Sequence, residues 1–149
     1  MGLFDNLFGS EKGSSSRELS KGEAFAGILL CACASDGHIA DEEARGLVTI
    51  MGRMKMFENW TSDKFNGTID RLLGMIRRAG VEKVIRRCAE ALPTQLHATV
   101  FCAACDLVLA DGVVEDEEKA FLDDLQRVLQ ISGDEALTIV EVMIIKNKG

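Results

Sequence analysis

Two short acidic stretches have residue types and spacing that could do chemistry. Ser35–Glu43 reads "SDGHIADEE" and Ala110–Glu118 reads "ADGVVEDEE", the second lying 75 positions after the first with no gap in the match. In each, an Asp-Gly pair is followed by five residues and a glutamate: Asp36-Gly37 with Glu43, Asp111-Gly112 with Glu118. That is the second half of a calcium-loop pattern, in which carboxylates at fixed offsets surround a cation. The first half is missing, because Ala32 and Ala34, then Leu107 and Leu109, stand where the pattern wants carboxylates. A hard cation takes six to eight oxygens, so one turn alone is incomplete. Two turns brought face to face would pool Asp36, Glu43, Asp111 and Glu118, with Asp41, Glu42, Glu117 and Asp106 as helpers. Such carboxylates repel one another unless a cation sits between them. An all-oxygen set favours calcium, magnesium or manganese over zinc. The same residues allow a second reading without metal. Gly37 and Gly112 close helices, and the acids behind them lie in the first turn of the next helix, where the helix dipole favours negative charge.

Other chemistry-bearing residues point to blander roles. Five cysteines, Cys31, Cys33, Cys88, Cys102 and Cys105, lie in apolar, helix-like surroundings. Cys31-x-Cys33 would point to opposite sides of a helix, and zinc cysteines sit on loops and knuckles, so buried free thiols are expected. His38 has Val113 as its counterpart in the second stretch, which removes it from any shared site. Asp106 inside "CAACDLVLA" needs a partner, such as Arg45 or Arg127, or a place beneath the acidic turn. Arg77, Arg78, Lys83, Arg86 and Arg87 form a basic stretch that is either a solvated face or a dock for an acidic partner. No nucleophile elbow, phosphate loop or zinc-protease motif occurs, so no enzymatic turnover and no small-molecule substrate are expected.

The elements that must position the turns read as helices throughout. Ser20 with Glu23, and Ser132 with Glu135, have capping-box spacing, and Thr61 or Ser62 caps a third helix. The periodicity predicts helices from Ser20 to about Ser35, Asp41 to Met54, Ser62 to Ala79, Val81 to Leu92, the apolar run after Pro93 to Ala110, Asp116 to Leu129, and Ser132 to Lys146. "AFAGILLCACA" and "HATVFCAACDLVLA" are apolar on nearly every side and belong at the centre of a bundle. The helix after each turn is amphipathic, through Leu47, Ile50 and Met54 in one and Phe121, Leu125, Val128 and Leu129 in the other. The fold expected is an all-α single-domain bundle of about seven helices. It comprises two similar helix–acidic turn–helix halves, around 24–54 and 99–129, with their apolar helices packed together. Residues 20–149 make the domain. Residues 1–19 make an amphipathic segment, with Leu3 and Phe4 spaced i, i+4 from Leu7 and Phe8, and a linker of flexible composition.

The bulk numbers agree. The chain has 149 residues, 47% hydrophobic and 28% charged, one proline and no tyrosine, a mixture that favours helix. A net charge of −7 argues against binding nucleic acid. Free thiols without a secretory signal suggest a cytoplasmic protein. Met1–Phe8 is expected either to dock weakly on a protein partner, a homo-oligomeric neighbour or the inner face of the membrane, or to pack on its own domain. Asn6 stands where myristoylation wants Ser or Thr.

On "ASDGHIADEEA", "LADGVVEDEEKAF", the short start "GLFDNLFG" and the order helix, acidic turn, helix, long middle, repeat, the chain resembles the tellurite-resistance TerB family and the broader TerB-like helical domains. The resemblance covers essentially Ser20 to Gly149. It implies about seven helices in two similar halves, a non-enzymatic role in stress response, and divalent-metal binding by acids that fall here at Asp36, Glu43, Asp111 and Glu118. The abundance of cysteine departs from the family's pattern.

Overall fold

A computed structural model describes residues 18–34, 39–110 and 112–149, without the side chain of Asp41. The amphipathic segment Met1–Phe8 and its linker, together with Asp36, Gly37, His38 and Asp111, lie outside the described residues. Among those described there are seven α-helices and no strand. They are α1 (Lys21–Cys33), α2 (Asp41–Gly52), α3 (Ser62–Ala79), α4 (Val81–Ala91), α5 (His97–Leu109), α6 (Asp116–Val128) and α7 (Gly133–Lys146), with 3-10 turns at Lys55–Phe57 and Thr94–Leu96. The all-α expectation holds, with helix ends within about two residues of the periodicity, as fraying ends allow.

The composition of α1 dictates its place. With no charged stripe after Glu23, it has no side to offer water, and every residue from Gly22 to Ala32 is buried. It runs through the middle of the bundle against α2, α3, α4 and α5. A glycine permits part of that approach: a methyl group on Gly27 would come within 2.5 Å of the Cys88 sulfur on α4 and 3.2 Å of Leu72 on α3. At its start, Ser20 and Glu23 form the capping box. The Glu23 N–H donates to Ser20 Oγ at 3.2 Å and the Ser20 N–H to Glu23 Oε1 at 2.9 Å. The second Glu23 oxygen takes a 2.7 Å bond from Arg71, tying α1 to α3.

The second apolar helix, α5, packs on α1, α6 and α7. Asp106 is satisfied, but by neither arginine foreseen: Lys146 at 3.0 Å and Asn147 at 2.9 Å, both at the end of α7, donate to it. Arg127 pairs instead with its neighbour Asp124. His97 opens α5 with Nε2 3.0 Å from the Leu92 carbonyl oxygen and Nδ1 3.0 Å from that of Leu129, so one ring joins the ends of α4 and α6. Thr61 caps α3 through the Lys64 N–H, and Ser132 caps α7 through the Glu135 N–H. No single described helix is long and apolar enough to cross a membrane.

Candidate functional site

The packing of α1 against α5 decides where the acidic stretches fall, because each follows the end of one of these helices. α2 then starts at Asp41 and α6 at Asp116, and both starts face one cavity of about 370 Å³. Glu43 reaches it from α2, and Glu115, Glu117 and Glu118 from the start of α6; Ala32, Cys33, Leu107 and Val108 form its apolar part. No basic side chain lines it among the described residues.

Local geometry at the two starts is alike. The Ala40 N–H donates to Glu43 Oε1 at 3.2 Å, and the Glu115 N–H donates to Glu118 Oε1 at 2.9 Å. Each glutamate thus makes the returning half of a capping box, filling an otherwise orphan donor at a helix start. The other half is absent in both, since Ala40 has no side-chain acceptor and Glu115 makes no side-chain cap bond. One carboxylate oxygen of each glutamate is occupied by the backbone. Both glutamates also line the cavity. Ile39 and Val114, just before the two helices, rest on the core as apolar anchors for the turns.

The site residues expected from sequence divide as follows. Glu43 and Glu118 come to one cavity, and Glu117 joins them. Asp36 and Asp111 lie outside the described residues, and so does the side chain of Asp41. Glu42 is exposed and does not line the cavity. Asp106 is engaged by Lys146 and Asn147. Among the described residues no group of three or more His, Cys, Asp or Glu is arranged to hold a metal ion. Sequence reasoning missed Glu115. Its counterpart in the first stretch is Ala40, so matching the two copies hides it, although it is the residue directly before a helix start.

The thiols near the site are poor nucleophiles. Burial, reinforced by the Glu43 carboxylate, pushes the Cys33 thiol up to about 12. Burial does the same to Cys88, and burial with nearby Cys102 and Asp106 does so to Cys105, each to about 12. Cys31 is raised further by its burial, and Cys102 is raised as well. A reactive cysteine needs a depressed value, and burial raises all five of these. All five are free thiols.

No family model matches the chain, and neither a curated protein nor a solved structure matches it.

Proposed function

We propose that this chain is a non-enzymatic, TerB-like module that takes a divalent cation between its two acidic helix starts and engages a protein partner, in tellurite resistance or a general stress response. The observation that carries the reading is the convergence of Glu43 and Glu118 on one cavity, with Glu115 and Glu117 beside them and no lining base. Like charges gathered without a counter-charge favour a bound cation. On this reading the two helix–turn–helix halves derive from one repeated unit. Asp36 and Asp111, placed by the motif just before α2 and α6, complete the oxygen set with Glu43 and Glu118. Calcium, magnesium or manganese suits such ligands. A cation held there bridges the halves and fixes the surface that a partner meets.

Support for the partner comes from α7. Its Leu137, Val142, Ile144 and Ile145 are at least half exposed, four large apolar side chains on a single helix. Several exposed large apolar side chains on one element mark an interaction site more often than a single one does.

A second reading rests on its own observation. Glu43 and Glu118 each accept a bond from the backbone N–H just before their helix, a role that needs no cation. The acidic turns then serve as helix starts only, in a purely structural interaction domain.

Calorimetric titration of metal-stripped protein with each cation separates the two, repeated on Asp36→Asn and Asp111→Asn. The cation reading predicts saturable binding by the wild type and weaker binding by each variant. Absence of heat at millimolar cation, with both variants more stable than the wild type, would leave the turns as caps.

A further inference from the structure

A groove of about 890 Å³ opens between α2 and α3. Its lining is mixed: the apolar part, taken as its floor, is Ile39 and Val48 on the α2 side and Ile69, Leu73 and Ile76 on the α3 side, and polar Thr49, Ser62 and Asn66 line it too. Arg45 stands on one wall and Arg77 on the other, with Asp70 also on the α3 side. Neither arginine makes an ion pair among the described residues. A groove with an apolar strip and an arginine from each helix fits two turns of amphipathic helix with an acid at the margin of its apolar face.

The sequence carries one such segment. Leu3, Phe4, Leu7 and Phe8 are spaced to share one helical face, and Asp5 falls beside that face rather than within it. The tether is long enough. Residues between Phe8 and Ser20 reach about 35 Å when extended. Ser20 and Glu23 border a small pocket with Lys64, Gly67, Thr68 and Arg71 of α3, while Asn66, Ile69, Asp70 and Leu73 on the opposite side of α3 line the groove. The connection therefore has only to pass around one helix, about 10–12 Å across.

We propose that Met1–Phe8 occupies the α2–α3 groove of its own chain, with Leu3, Phe4, Leu7 and Phe8 on the apolar floor and Asp5 toward Arg45 and Arg77. A short tether raises the effective concentration of the segment into the millimolar range, so even a weak fit is filled in cis. The docked segment covers Ile39 and Val48, next to the start of α2, and so braces the helix that carries Glu43. A partner able to take the segment away would uncover the groove and loosen that helix.

Hydrogen exchange on the full chain tests this, comparing wild type with Phe4→Glu/Phe8→Glu. Amides of 42–50 and 66–77 should exchange several-fold faster in the double variant, while α5 and α7 stay unchanged. Asp5→Arg should give a smaller acceleration in the same two stretches, reversed when Arg45→Asp and Arg77→Asp are added. Unchanged exchange in α2 and α3 overturns the proposal, as does a change confined to the outer face of α7. Protection that disappears on dilution assigns the groove to a second copy and overturns the intramolecular arrangement as well.

Discussion

The helices that follow the two acidic turns begin alike and pack differently. In both, a glutamate at the third helical position holds the N–H just before the helix. Leu47 of α2 and its counterpart Leu122 of α6 are both buried. From there the stripes part. α6 buries Phe121 and Leu125, whose counterparts are exposed Gly46 and half-buried Ile50; α2 buries Met51, whose counterpart is half-buried Gln126. α6 is wedged between α4 and α5, whereas α2 rests on α1 and borders the wide groove. Local sequence is enough to build the cap twice. How firmly each cap is held depends on an aromatic anchor that only the second copy has.

The largest effect should come from removing that anchor. Phe121→Ala should cost about 3–5 kcal/mol in chemical denaturation, as other buried aromatic truncations do. The counterpart substitution should have the opposite sign. A methyl group on Gly46 meets nothing within 4 Å, so Gly46→Ala should stabilise by about 1 kcal/mol through helix propensity alone. Equal and same-signed effects at the two positions would erase the comparison.

Alkaline pH should weaken the shared core beneath both turns. The buried Cys88 and Cys105 thiols are raised from their ordinary 9.0 to about 12. Between those values the folded chain keeps protons that the unfolded chain has lost, so stability falls as pH rises. The contribution is intact below pH 9 and should decline by about 1.4 kcal/mol per pH unit for each such thiol toward pH 12. Denaturation midpoints from pH 8 to 10.5 check this, and Cys88→Ala/Cys105→Ala should flatten the slope.

The smallest expected effect is at the caps. Glu43→Ala and Glu118→Ala each remove one returning capping bond and should cost about 0.5–1 kcal/mol in metal-stripped protein. The loss at Glu43 should appear mainly as faster local exchange in α2, and that at Glu118 as global destabilisation, since α6 is the more deeply packed of the two.

Much of this architecture is legible in the residues themselves. An apolar run with no polar stripe has to lie inside, which places α1 and α5 at the centre. Ser20 with Glu23, Thr61, and the positive φ of Gly80 and Gly112 mark ends that depend on neighbours within a few positions. What could not be read depends on distant pairings. Lys146 meets Asp106 across 40 positions because α7 packs on α5, and no local pattern encodes that. The apolar stripe drawn through Leu47, Ile50 and Met54 leaves out Met51, which α2 buries, while Ile50 and Met54 are only half-buried. The close approach at Gly27 and the groove between α2 and α3 likewise arise only once three helices are assembled. At the candidate site, Glu43 and Glu118, which the motif names, both line one cavity. The motif left out Glu115, which has an alanine counterpart.

Glutamine tests most directly whether the paired acidic starts share one cation. Glutamine at the third helical position keeps the capping bond and removes the charge. Metal-stripped wild type, Glu43→Gln and Glu118→Gln are melted with and without millimolar calcium, magnesium or manganese. The account predicts that a cation raises the melting temperature of the wild type, by about 2.7 kcal/mol of stabilisation at a hundredfold excess over Kd, and that each variant loses most of the rise. A wild-type melting temperature unmoved by all three cations, with both variants melting higher than the wild type, would contradict it.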